Sequence, residues 1–155
     1  MQEVKSPELV NALAVCLSDA IVLSLKVQGA HWNVLGKDFP QFHEFFQEIY
    51  EDIYGSVDDL AENMRKLNAV APSRLFEFAR LSSIEDTEVG FMCLDLAKDI
   101  LIANDSMLVG LNTAFTIATL VNEQGIADFI AGRIDMQTKW RWQLSATTHS
   151  YTRGE

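Results

Sequence analysis

The chain has 155 residues, 48% hydrophobic and 22% charged, with only 8 Gly and 3 Pro, which suits a single domain over 1–155 and excludes linker-like, collagen-like and low-complexity chains. Its 22 Asp and Glu against 12 Lys and Arg leave a formal net charge of -10. Such a surface repels nucleic acid and anionic membranes and suits a protein that collects cations.

Met1 to Glu8 carries no basic flank followed by an apolar block, so no secretory leader is expected there. Ser6, Pro7 and Glu8 combine an N-cap, a proline at the first helical position and an early acid. Leu9, Leu13, Leu17, Ala20, Ile21, Ser24 and Leu25 then keep to one stripe, which predicts a first helix from Pro7 to about Asn33. Gly36 breaks it. Asp38 with Gln41 has the spacing of a capping box for a second helix that continues past Leu67. Asn68 to Ser73, with Pro72, ends that helix, and Leu75 to Arg80 is long enough for a short helix inside a crossover.

A third helix is predicted from about Thr87 to Val121, with Gly125 separating it from a fourth over about Ile126 to Ala146. The uncharged run Leu108 to Asn122 is too short and too polar to cross a bilayer, which needs about 20 mainly apolar residues. A cytoplasmic protein without membrane attachment is expected. Cys16 and Cys93 lie far apart in apolar helical patterns and read as buried, reduced thiols. The fold class is all-α. Four long helices with one long connection between the second and third fit a four-helix bundle with a crossover, the ferritin-like topology, better than an up-and-down bundle.

The chain has three histidines, and two of them, His31 and His43, flank the first interhelical turn. In an antiparallel helix pair both imidazoles come to similar heights. Asp58 and Glu62 form an i, i+4 carboxylate pair further along the second helix. Imidazole with carboxylate is the usual donor set for iron and similar divalent metals. His43 and Asp58 face within about 60° of each other, but the helical rise separates them by roughly 22 Å. One ion cannot take both within one chain. A functional face therefore requires a second copy running antiparallel across it, which a two-fold axis provides with two equivalent sites. Neither His31, with Gln28 three residues before it, nor His43, with Pro40, supplies the Glu-x-x-His motif of an intrachain di-iron centre.

The run from Lys26 through His31, Trp32, Asn33 and Gly36, followed by Phe39, His43, Glu44, Asp58 and Glu62, resembles the Dps family of mini-ferritins, the DNA-binding proteins from starved cells. Gly125 to Phe129 and the Trp140 region extend the resemblance into the last helix. The resemblance implies a homo-oligomer, a hollow dodecamer, that oxidises Fe(II) with hydrogen peroxide or dioxygen at two-fold interfaces and stores Fe(III) mineral. It implies ligation by His31 and His43 of one subunit and Asp58 and Glu62 of its neighbour, with zinc as an inhibitor because it has no accessible redox change. The family commonly has Asp where this chain has Gln47, a neutral amide expected to weaken a second iron position. Glu44 and Glu48 point about 100° and 140° away from His43 and are no obvious replacement.

The resemblance also places Trp32 and one of Trp140 and Trp142 near the iron site as sinks for oxidising equivalents, with bundle packing as their alternative role. Tyr50 and Tyr54 read as lining an interface. Asp128, and more weakly Glu123, are candidates for acids around three-fold pores, although the helix dipole alone favours acids there. Family members that bind DNA commonly use a lysine-rich tail. Here only Lys5 precedes Pro7, and Arg153 sits near Glu155, so DNA binding is not expected. The competing readings are a structural or DNA-protecting shell with a degenerate metal site, and a zinc or manganese module without redox chemistry.

Overall fold

A computed structural model describes residues 2–149, so Arg153 and Glu155 lie outside the described residues. The helices are α1 Pro7–Asn33, α2 Phe39–Gly55, α3 Val57–Lys66, α4 Leu75–Leu81, α5 Cys93–Leu120 and α6 Gln124–Thr148. Among the described residues there is no strand, only an isolated bridge between Leu35 and Met92. The all-α, ferritin-like expectation is met. The helices share one core, in which Leu13, Leu17, Phe46, Ile53, Met107 and Ile130 are almost wholly removed from water.

Cross-helix contacts fix the directions. A short turn folds α2 back on α1, and Lys26 with Asp99, and Asp19 beside Gly110, set α5 antiparallel to α1. Phe45 meets Trp140 and Asp52 meets Arg133, so α6 runs antiparallel to α2. With α2 and α5 both opposed to α1, they are parallel to each other, and the chain between them must travel the length of the bundle. It does so along α1. Lys5 N–H bonds the Leu67 carbonyl at one end, Ser82 and Ser83 bond Asp19, Lys26 bonds Thr87, and Leu35 N–H bonds the Phe91 carbonyl at the other end.

Several boundaries differ from the pattern. The second helix does not run unbroken past Leu67. It is interrupted at Ser56, whose hydroxyl bonds the Ile53 carbonyl at 2.6 Å in competition with the backbone ladder, just after helix-weakening Gly55. It ends at Lys66. Asn68, at φ 62°, forms a left-handed cap closed by Ala69 N–H to Met64 O and Asn68 N–H to Arg65 O. Asn122 repeats this cap after α5, at φ 60°, so Asn122 rather than Gly125 ends that helix. The third long helix begins at Cys93, not Thr87, because Thr87 and Phe91 are engaged by Lys26, Asp99 and Leu35 in extended chain. Neither Ser6 nor Asp38 makes a side-chain cap bond, so the expected capping box is not formed. Gly36 turns the chain at φ 129°, a conformation that suits glycine.

On length and composition alone, Pro7–Asn33 and Cys93–Leu120 would be apolar enough to cross a membrane. In the fold both are bundle helices whose apolar faces meet the core. Both also bury polar groups: Ser18 and Asp19 in α1, Asn104 in α5. Burial pushes the Asp19 carboxyl up, opposed by hydrogen bonds from Ser82 and Ser83. Cys16 and Cys93 are buried free thiols, as expected. Burial and the Asp19 charge push Cys16 up to about 12.

A second buried group sits between α2, α5 and α6. Asp52 accepts both guanidinium nitrogens of Arg133, at 3.1 and 2.9 Å, and the indole N–H of Trp140 at 2.7 Å. Arg133 also donates to Gln137, which donates to Asn104. Burial alone would push the Asp52 carboxyl up, but the bonds from Arg133 and Trp140 and the guanidinium charge outweigh it and hold it below its ordinary value of 3.8. Asp52 thus contributes stability that is full above that value and is lost as pH falls through its lower folded value. Asp19 runs the other way, its contribution fullest at low pH and lost as pH rises through its raised value.

Asp52→Asn leaves Arg133 buried without its counter-charge and is expected to cost about 3 kcal/mol at neutral pH by chemical denaturation. The deficit relative to wild type should narrow in strong acid, where the native carboxylate is itself protonated. A deficit that does not change with pH would contradict the assigned role.

Candidate metal centre

His31 lies in the last turn of α1 and His43 in the second turn of α2. The Nδ1 of His31 bonds the carbonyl of His43 at 2.7 Å, and the Nδ1 of His43 bonds the carbonyl of His31 at 2.7 Å. A carbonyl oxygen cannot donate, so each Nδ1 carries a proton, which leaves Nε2 as the nitrogen whose lone pair a neutral ring would offer. The arrangement also answers a need of the helix end. The last carbonyls of α1 have no partner in the following turn, Leu35 N–H goes to Phe91, and His43 serves the His31 carbonyl instead.

The rings stack with centroids 3.7 Å apart and planes 19° apart. Phe39 stacks on His43 at 4.9 Å, and the ring of Tyr50 meets His31 edge-on at 5.4 Å. His31 is buried and His43 half-buried. The result is an aromatic column that holds the two imidazoles together with both Nδ1 atoms engaged. Nitrogen donors of this kind fit Fe(II), zinc and related divalent ions.

Gln47 follows one turn after His43 and donates its amide Nε2 to the Glu51 carboxylate at 2.7 Å. Glu44 and Glu48 are exposed on other sides of the helix. Asp58 and Glu62 are exposed in α3, beyond the interruption at Ser56 and roughly 22 Å of helical rise from His43. Among the described residues, no three His, Cys, Asp or Glu side chains gather in one chain as a metal cluster. One chain thus offers an imidazole half and a separate carboxylate half.

A sequence profile of the ferritin-like domain family matches residues 10–153. The chain belongs to the ferritin-like family. A DNA protection during starvation protein 2 of Bacillus anthracis is 26% identical over 139 residues, covering 90% of this chain and 95% of that one. The DNA protection during starvation protein of Helicobacter pylori strain J99 is 41% identical over 85 residues, 54% of this chain and 59% of that relative's length. A Dps crystal structure from Vibrio cholerae O1, described as a member of a superfamily of ferritin-like diiron-carboxylate proteins, superposes with a TM-score of 0.88 at 25% identity, over 93% of this chain and 91% of that one. The resemblance to Dps proteins therefore extends over most of the chain.

Other candidate residues of this ferritin-like chain are dispersed. Trp32 is 61% exposed beside His31. Trp140 is buried and bonded to Asp52, and its contacts Phe45 and Asp52 lie about 180–200° around α2 from His43. Within one chain it packs the bundle and does not join the imidazole pair. Trp142 is exposed. Glu123 is the half-buried N-cap residue of α6, and exposed Asp128 points about 140° away from it, so the two do not share a face. Tyr50, expected at an interface, contacts His31, while Tyr54 is exposed. The signal for Tyr50 was its spacing of seven from His43, two helical turns along the same stripe. Glu51 and Asp52 gave no local signal, because acids abound on α2.

Long-range 1H–15N correlation spectra of the metal-free protein at mildly alkaline pH should show both His31 and His43 with the proton on Nδ1. A proton on Nε2 in either ring would contradict the reciprocal clamp.

Proposed function

We propose that this chain is an iron-storing mini-ferritin. Twelve copies form a hollow shell that oxidises Fe(II) with hydrogen peroxide or dioxygen and keeps the ferric product inside, in the cytoplasm, limiting oxidative damage. The observation that carries this reading is the His31/His43 pair, with each Nδ1 engaged and Nε2 left as the remaining donor, while Asp58 and Glu62 lie beyond reach in the same chain. A two-fold partner running antiparallel would bring its Asp58 and Glu62 opposite the imidazoles.

Iron is the substrate. Two Fe(II) ions give up one electron each, and hydrogen peroxide takes both electrons with two protons to leave two waters. Both reactants of hydroxyl-radical chemistry are thereby consumed. The imidazoles supply neutral donors and the partner's carboxylates the negative charge. Gln47 adds none, so one ion binds tightly and a second weakly. Asp128 is the pore candidate that would draw Fe(II) inward. Trp32, beside His31, is the candidate sink for stray oxidising equivalents. At -10 per chain the shell would carry about -120, which opposes binding to DNA despite the names of its relatives.

Stopped-flow absorbance after mixing with Fe(II) and hydrogen peroxide, with light scattering on the same sample, tests the reading. Wild type should give rapid ferric absorbance and a dodecameric mass. His31→Ala/His43→Ala should oxidise roughly 10- to 100-fold more slowly with the shell intact, and Asp128→Asn should slow uptake alone. Duplex DNA should not shift in a gel at low salt. Ferric formation no faster than in buffer would leave a shell or a zinc-type module in place of a ferroxidase.

A further inference from the structure

Gln47 is placed by its neighbours. On α2, His43, Gln47 and Tyr50 follow at i, i+4 and i+7, one stripe of the helix. The residues on either side of Gln47 both touch the ring of His31: His43 stacks on it at 3.7 Å and Tyr50 meets its edge at 5.4 Å. Gln47 is therefore bracketed beside the imidazole pair. Gln47 is half-buried, and its amide is bonded to Glu51. The Glu51 carboxylate, 2.7 Å away, can only accept, so it must face the amide NH2, and the oxygen Oε1 is directed away from Glu51.

We propose that Glu51 is a positioning residue for the metal centre. It holds the Gln47 amide by its NH2 so that Oε1 is presented as a third, neutral donor for a divalent ion beside His31 and His43. A hydrogen bond from the amide to an ionised carboxylate also draws electron density onto that oxygen, which makes it a better donor. Glu51 thus lends charge to the site at one remove. This rests on the proposed shared site and specifies how its weaker position is built.

The arrangement has a signature that a generic surface hydrogen bond lacks. In wild type, Glu51→Gln removes the acceptor-only partner, so the amide loses its orientation. In a Gln47→Asp background the new carboxylate offers an oxygen whichever way it turns, so the same change removes only the more distant attraction of Glu51 for the ion. The effect of Glu51→Gln on the second metal position should therefore be marked in wild type and largely lost in Gln47→Asp.

Calorimetric titration of the assembled protein with Co(II) reads the two positions separately. Glu51→Gln alone should weaken the second ion by roughly three- to tenfold and leave the first within about twofold, while in Gln47→Asp it should change the second ion by no more than about twofold. Glu51 is exposed, so circular dichroism and assembly mass should not change. A loss of equal size in both backgrounds, or none in either, overturns the role of Glu51. Loss of both ions from wild type itself would instead overturn the shared site on which it rests.

Discussion

Two hydrogen bonds of 2.7 Å, each from one imidazole to the backbone carbonyl of the other histidine, set the terms on which the functional end of this molecule is built. They join α1 to α2 at one height, satisfy a carbonyl that the end of α1 would otherwise leave bare, and settle which nitrogen of each ring keeps its lone pair. A different partner at either Nδ1 would turn the donor atoms elsewhere. The clamp is thus structural and chemical at once, because the bonds that hold the helices in register also fix the orientation of the nitrogens that the proposed site would use.

The rest of the bundle keeps α2 from rotating out of that register. His43, Gln47 and Tyr50 occupy one side of the helix, while Phe45 and Asp52 on the opposite side are engaged by Trp140 and Arg133 of α6. The bidentate pairing of Asp52 with Arg133 is directional where apolar packing is not. A buried ion pair adds little net stability once desolvation is counted, yet losing one partner is costly, which penalises any slip of α2 against α6. The crossover is aligned along α1 in the same way, by Asp19, Lys26 and Leu35 in turn. Polar contacts here specify position, and the apolar core supplies most of the driving force.

Periodicity made the long helices legible, along with the need for a long connection between the second and third. The limits of α1 were clear because Pro7 marks its start and the apolar stripe persists to its end. The start of α5 was not, since residues 87–92 continue a helical-looking pattern but lie outside the helix, with Thr87 engaged by Lys26 and Asp99 and Phe91 by Leu35. Asn68 and Asn122 cap their helices in left-handed geometry, a role that glycine advertises more plainly than asparagine. At the site, His31 and His43 could be paired from their distance to one turn, and helical rise alone separated them from Asp58 and Glu62. The mutual hydrogen bonds could not be read, because they depend on side-chain direction. Nor could the Asp52 network, whose partners Arg133 and Trp140 lie 81 and 88 residues away.

The central claim is that the imidazole half and the carboxylate half of each site come from different copies of the chain. Co-assembly of two impaired variants tests it most directly. His31→Ala/His43→Ala retains only the carboxylates, and Asp58→Asn/Glu62→Gln retains only the imidazoles. Each homo-oligomer should oxidise Fe(II) roughly 10- to 100-fold more slowly than wild type. Dissociated, mixed in equal amounts and reassembled, they should regain about a quarter of the wild-type ferric formation, since half of the two-fold pairs are mixed and each mixed pair rebuilds one of its two sites. No recovery in a mixture shown by native mass spectrometry to have exchanged subunits would contradict the account.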